Sequence, residues 1–152
     1  MHRILFVCLG NICRSSAAQT VMQYLVDQAG RSAEFELDSA GIIDYHEGEP
    51  ADSRMRQHAS QRGYRITHLS RPVRQSDFRH FDLILGMDDN NMKSLSRLAP
   101  DSASMQKLHR MTDYCRHYDT DTVPDPYYGG PAGFENVLDL LEDACQGLLE
   151  TF

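Results

Sequence analysis

Apolar and polar positions change period several times along the chain, and each change predicts an element. Ile4-Leu5-Phe6-Val7 is an unbroken apolar run of strand formers, the pattern of a strand buried on both faces. It breaks at Gly10-Asn11, a pair suited to backbone torsions that other residues resist. From about Ser15 the period lengthens. Ala18, Val21, Met22, Leu25 and Ala29 recur at helical spacing, and Gly30 closes that helix. Residues 34–40 then alternate as a strand does, so strand, helix and strand predict a parallel pair joined by a right-handed crossover. Residues 39–50 are rich in turn formers and read as a loop. Asp52 to Arg62 is a weakly amphipathic helix carrying Met55 and Ala59 and ending at Gly63. Tyr64 to Ser76, with Arg65, Arg71 and Arg74, reads as a solvated polar stretch. Phe81 to Gly86 is another buried strand. Asp88 suits the N-cap of a helix that runs through Leu98 and is stopped by Pro100. Met105 to Leu108 gives a weak signal for a last short strand. Prolines and glycines make residues 119–131 a loop. Phe134, Val137, Leu138, Leu141, Cys145 and Leu148 form one apolar face of a long C-terminal helix.

Strands alternating with helices predict an α/β fold: a three-layer αβα sandwich around a central, mostly parallel four-stranded sheet. The 152 residues suit a single domain spanning 1–152. Ligands of such sheets lie beyond the carboxyl ends of the strands. The loop after Cys8, the loop from Ser39 to Tyr45 and the turn from Met87 to Asn91 all follow strands and are expected to border one crevice, with the Asp125 loop within reach.

Composition narrows the chemistry. A formal net charge of −7 argues against general nucleic-acid binding, so any anion site must be made attractive locally. No apolar run approaches a membrane span, and Arg3 to Leu9 is too short, and wrongly flanked, for a secretory signal. The four cysteines lack a CxxC pair, which leaves no basis for a zinc site or a disulfide framework and suits a reducing, cytoplasmic setting.

The chemistry-bearing stretch is Val7-Cys-Leu-Gly-Asn-Ile-Cys-Arg-Ser15. A loop wrapped onto a helix N-terminus points several N–H groups at one spot and adds the positive end of the helix dipole, a site for an anion and above all for phosphate. Cys8 lies at its base, where that field favours negative charge on sulfur. Arg14 adds two parallel donors. Ser15 suits donation to the Cys8 sulfur, or an ordinary N-cap, or both. The bland alternative for Cys8 is a small buried hydrophobe. Asp125 is fixed between two prolines, as a turn former or as an acid; Tyr127 and Tyr128 follow it as exposed aromatic surface of the kind that binds something. By themselves Tyr45 and His46 would be surface residues, and Cys145 core.

Taken together these residues resemble the low-molecular-weight protein tyrosine phosphatases. The phosphate loop 7–15 matches throughout, and Asp-Pro-Tyr-Tyr-Gly at 125–129 matches the general-acid loop. Asp38-Ser-Ala-Gly41, His46-x-Gly48, Pro50-x-Asp52, Thr67-His68 and Met87-Asp88 also look like family positions, in the family's order. The resemblance implies that Cys8 attacks phosphorus to form a phosphocysteine. Leu9, Gly10, Asn11, Ile12, Cys13, Ser15 and Arg14 would build the oxyanion cradle, and Asp125 would act as acid and then base. It implies support from Ser39, His68 and Asp88, with His68 a partner of Asn11, and a pocket walled by Tyr45, Tyr127 and Tyr128. The implied substrates are phosphotyrosine-containing proteins and the product is inorganic phosphate, with no metal or other cofactor. Cys13 is placed to resolve an oxidised Cys8, which would make the site redox-sensitive. Ser16 and Gln19 stand where the family usually has proline and often glutamate, and Tyr45 where many members have tryptophan. A related arsenate reductase chemistry needs two cysteines after the third strand, where residues 85–92 have none. A non-catalytic phosphate-binding module is the other competing class.

Overall fold

The computed structural model describes residues 1–127 and 129–152. The first apolar run is the centre of the sheet. Strand β1 (His2–Cys8) lies between β2 (Phe35–Gly41) and β3 (Leu83–Gly86), with β4 (Leu108–Arg110) outside β3, giving the order β2-β1-β3-β4. All three pairings are parallel, so the sheet is uniformly rather than mostly parallel. Side chains alternate across a strand, and β1 shows why an unbroken apolar run was needed. Ile4, Phe6 and Cys8 join the core on one face, and Leu5 and Val7 join a second core on the other.

Helices cover both faces. On the first pack α1 (Arg14–Gln28) and the long α6 (Pro131–Glu150), with Val21, Met22, Leu138 and Leu141 fully buried between them and the sheet. α2 (Ser53–Gln61) adds Met55 and Ala59 to this core. The short α3 (Asp77–His80) and α4 (Asp89–Leu98) close the second face through Phe78 and Leu95. Three layers result, as expected of a parallel sheet, which has both faces to cover. In register, Cys8 is opposite Gly41 and Val7 opposite Gly86, so the strands end level and their three following loops meet.

Two expectations need correction. The last strand is Leu108–Arg110, not Met105–Leu108, because Asp101 turns Ser102–Met105 into a short helix (α5) by accepting the Ser104 N–H at 2.8 Å. A strong local cap outweighs a weak strand signal. Nor is 64–76 a solvated stretch throughout. Arg65 and Arg74 are exposed, but Tyr64, Ile66 and Ser70 are buried. Tyr64 donates its hydroxyl to Glu142 of α6, and Arg71 bridges Asp38 and Asp77 through four donor contacts of 3.0–3.2 Å. This segment crosses the carboxyl end of the sheet, with Pro72 bridged to Gly41 and Leu69 to Pro50. Among the described residues, no helix is long and apolar enough to cross a membrane.

α6 is held at its far end as well. Asp143 accepts the N–H groups of Arg116, His117 and Tyr118 on one oxygen at 3.0–3.1 Å. One turn later Gly147 faces the 3₁₀ turn Met111–Tyr114 so closely that an added Cβ would lie 1.9 Å from the Tyr114 carbonyl oxygen. Alanine ordinarily stabilises a helix interior by about 1 kcal/mol relative to glycine. Here the steric cost should win, and Gly147→Ala should lower stability by about 1–3 kcal/mol, the usual cost of overpacking. A thermal melt reads it; an unchanged or higher midpoint would contradict the packing.

Candidate active site

The loop between β1 and α1 is built so that its two kinds of backbone group face opposite ways. Its carbonyls are held from outside. Cys8 O accepts from Ile42 N at 2.9 Å, Leu9 O from Ile43 N at 3.0 Å, and Ile12 O from Asp52 N at 2.8 Å. Gly10 O accepts from the Ser70 hydroxyl at 2.9 Å. Cys13 O accepts from Ala17 N and the Ser16 hydroxyl at 3.1 and 3.2 Å. Yet the N–H groups of Gly10, Asn11, Ile12 and Cys13 find no acceptor among the described residues. Since buried amides are nearly always paired, a run of four such donors marks an anion cradle.

Asn11 holds this shape. It is the one non-glycine residue with positive φ, 59°, among the described residues. The expectation attached to Gly10-Asn11 therefore falls on the asparagine, not the glycine. All four hydrogen-bonding positions of its amide are used. The nitrogen donates to Ser15 Oγ at 2.8 Å and Ser39 Oγ at 3.0 Å; the oxygen accepts from Arg71 N at 3.1 Å and pairs with His68 Nε2 at 2.9 Å. With the oxygen thus identified, His68 must be the donor at Nε2. Ser39 in turn donates its hydroxyl hydrogen bond to Gln19 Oε1 at 2.6 Å. Ser15 accepts from Asn11, and its hydroxyl lies 3.0 Å from the Cys8 sulfur and 3.4 Å from the Ala40 carbonyl, to either of which it can donate. Ser15 lies inside α1 and is not its cap; the N-cap position is Cys13. With Ser16 bonded to Cys13 O, the helix starts without the family's proline.

Arg14 is 2% exposed. Its Nη1 donates to Asp88 at 2.6 Å and to the Val123 carbonyl at 3.1 Å, and its Nη2 lies 3.5 Å from Asp125. Burial opposes the charge, but Cys8, Asp88 and Asp125 outweigh it, and the pKa stands above the ordinary guanidinium value. Asp88 also caps α4, as its sequence position predicts, by accepting Asn91 N at 2.8 Å. Asp125 accepts Tyr127 N at 3.0 Å through Oδ1. Burial, then Asp52, pushes the Cys13 thiol up, and burial does the same to Cys145. Cys13 is thus held as the neutral thiol, so its expected resolving role rests on proximity to Cys8 alone.

Cys8, Leu9, Gly10, Ile12, Cys13 and Arg14 form the floor of a cavity of about 350 Å³, and Ile43, Tyr45, His46, Asp125 and Tyr127 form its walls. Asn11, Ser15, Ser39, His68 and Asp88 stand behind it rather than in it. Tyr128 falls outside the described residues. Sequence reasoning gave no role to several residues that the structure brings to the site. Ile43 and His46 line the cavity, and Gln19, Ser70, Arg71 and Asp52 hold the loop. At Gly41 a Cβ would lie 2.9 Å from Leu9 O and 3.1 Å from Asn11 N, so only glycine lets the two strand ends cross. The motif Asp38-Ser-Ala-Gly41 is the available signal for it, as His46-x-Gly48 and Pro50-x-Asp52 are for His46 and Asp52, whereas Gln19, Ser70 and Arg71 meet the site through partners far away in sequence. Among the described residues, no group of three or more His, Cys, Asp or Glu side chains could hold a metal ion.

His68 gives the site a pH dependence. Burial lowers its pKa more than Asp38 raises it, and Arg71 lowers it further. The unfolded chain takes up this proton near pH ~6.5 and the folded protein resists it. The stability it contributes is therefore complete above that pH and lost as pH falls. His68→Gln keeps an N–H for Asn11 but does not titrate. Between about pH 7.5 and about pH 5 the urea midpoint of the wild type should fall further than that of the variant. Equal falls would mean that His68 is not held neutral.

Three comparisons bear on this arrangement. The sequence profile of the family described as low molecular weight phosphotyrosine protein phosphatase matches residues 3–152. A low molecular weight protein-tyrosine-phosphatase of Streptomyces coelicolor is 42% identical, over 97% of this chain and 92% of that protein. The crystal structure of a protein tyrosine phosphatase from Entamoeba histolytica superposes with a TM-score of 0.96 at 47% identity, covering 99% of this chain and 96% of that one. A Drosophila arginine phosphatase superposes with a TM-score of 0.90 at 28% identity, covering 97% and 96%. With a phosphate cradle, a buried arginine and a facing aspartate on this fold, the chain belongs to the low molecular weight phosphotyrosine protein phosphatase family and is an enzyme of the protein-tyrosine-phosphatase class.

Proposed function

We propose that the protein hydrolyses protein phosphotyrosine in two steps through a phosphocysteine. The observation that carries this is the polarity of the loop: carbonyls of residues 8–10, 12 and 13 are bonded, and the amides of residues 10–13 have no acceptor among the described residues. A dianionic phosphoryl group supplies the missing acceptors. Arg14 spends Nη1 on Asp88 and Val123, which leaves its Nε–Nη2 edge for two phosphoryl oxygens. Cys8 sulfur, steadied by the Ser15 hydroxyl, attacks phosphorus in line. The S–P bond forms, the P–O bond to the tyrosine ring breaks, and Asp125 gives its proton to the leaving oxygen. In the second step Asp125 takes a proton from water, the water oxygen attacks phosphorus, and the S–P bond breaks to release inorganic phosphate. The charge spread over the equatorial oxygens is stabilised by donors already in place, the chief contribution in phosphoryl transfer.

Ile43, Tyr45 and Tyr127 make the cavity walls largely apolar and aromatic, which suits a phenyl ring. A phosphorylated guanidinium would need further acceptors there, and Asp125 is the wall's one carboxylate among the described residues. The reading thus favours phosphotyrosine over phosphoarginine, a comparison that purified phosphopeptides of both kinds test directly. Turnover of a phosphotyrosine peptide should persist in excess chelator.

Cys8→Ser should abolish turnover yet still bind inorganic phosphate, because the cradle remains. Retention of even a tenth of the wild-type kcat would remove Cys8 from the nucleophile's role. Asp125→Asn should lose on the order of 10²–10⁴ with phosphotyrosine, the usual worth of general acid catalysis, and much less with an acidic nitrophenol as leaving group. Single-turnover rates over a series of aryl phosphates would show this as a line that falls with leaving-group pKa. Lines parallel to the wild type's would mean that Asp125 only shapes its turn.

A further inference from the structure

Asp125 sits on a proline- and glycine-rich loop, and its distance from the phosphate loop must be set by something rigid. Upstream the loop is fixed at Val123, whose N–H donates to Met87 O at 2.8 Å and whose carbonyl accepts from Arg14. Downstream, Arg54 takes hold. It projects from the first turn of α2. Its Nε and Nη2 donate to the two oxygens of Asp52 at 3.1 and 3.0 Å, a bidentate pair. Nη2 also donates to the Tyr127 carbonyl at 3.0 Å. The guanidinium plane lies over two rings, its carbon 5.3 Å from the centroid of Tyr127 and 4.9 Å from that of Phe134. Asp52 is itself fixed: it caps α2, and its N–H donates to Ile12 O in the phosphate loop at 2.8 Å. Tyr127 in turn gives its N–H to Asp125 Oδ1 at 3.0 Å.

We propose that Arg54 is a positioning residue for the reaction, tying the loop that carries Asp125 to the phosphate loop through the path Ile12, Asp52, Arg54, Tyr127 and Asp125. The inference rests on the general-acid reading of Asp125 given above. Arginine suits the role and lysine does not, because one planar fork is asked to grip a carboxylate, a carbonyl and two ring faces at once. The Arg54 side chain is 44% exposed. Exposed ion pairs contribute little to global stability, so what Arg54 supplies is the placement of one carboxyl group. Small misplacements of a catalytic group are costly even when the fold is intact. The penalty must therefore depend on how much the substrate needs the acid. An aryl phosphate that leaves as a basic phenolate needs it; one that leaves as a nitrophenolate hardly does.

The test is a double-mutant cycle read over leaving groups. kcat/KM is measured for the wild type, Arg54→Ala, Asp125→Asn and the double variant, on phenyl phosphate and p-nitrophenyl phosphate, with inhibition by inorganic phosphate and a thermal melt beside them. Arg54→Ala should lose roughly tenfold on phenyl phosphate and less than about twofold on p-nitrophenyl phosphate, with phosphate inhibition unchanged. In the Asp125→Asn background, the same substitution should cost less than about twofold on either substrate, since no acid remains to be placed. Equal losses on both substrates, additive losses in the double variant, or no loss at all would overturn the positioning role. If Asp125→Asn discriminates between leaving groups and Arg54→Ala does not, Arg54 alone is wrongly assigned. If Asp125→Asn itself does not discriminate, the general-acid reading falls and this inference with it.

Discussion

A guanidinium that is 2% exposed cannot be left unpaired, and the carboxyl end of this sheet is arranged around that constraint. Breaking a buried charge pair by removing one partner typically costs about 3–5 kcal/mol. Arg14 meets the requirement with partners from distant parts of the chain: Asp88 after β3, the Val123 carbonyl before the acid loop, and Asp125 within it. Asp88 serves twice, since one oxygen caps α4 and the other holds Arg14. The start of α1, the start of α4 and the acid loop therefore share one reference point. That point is also where the proposed reaction calls for positive charge.

Around this cation the phosphate loop sorts its own polarity. Four other segments take its carbonyls, and one asparagine in the left-handed region takes the strain. A non-glycine residue at positive φ persists only where its surroundings over-determine it, and Asn11 has four partners to do so. The amides of residues 10–13 are left without an acceptor among the described residues. Binding energy for an anion is thus prepared during folding, and no donor has to reorganise when the reaction begins.

Local signals were enough for what local physics decides. The apolar run of β1, the cap at Asp88, the helical stripe of α6 and the loop from Cys8 to Arg14 each declare themselves within one short stretch of sequence. What stayed hidden depends on partners far away in sequence. Arg71 reads as a solvated charge until Asp38 and Asp77 are seen around it. Tyr64 reads as polar until its ring is buried and its hydroxyl reaches Glu142. Gly41 is a small residue in a strand until the phosphate loop crosses it within 3 Å. The last strand is a different case: the cap at Asp101 is a local signal, and it outweighs the weak strand pattern of residues 105–108.

The walls of the cavity come from a segment with a division of labour along its length. Ile42 and Ile43 donate their N–H groups to the phosphate loop and are committed to it. Tyr45, two residues on, is 79% exposed, and its ring contact is with the neighbouring His46. The same short segment thus supports the phosphate loop through Ile42 and Ile43 and carries Ile43, Tyr45 and His46 on the cavity wall. Within it Tyr45 is the exposed position, whereas His46 packs against Gly10 of the phosphate loop, so a change at Tyr45 alters the cavity mouth without touching the loop beneath.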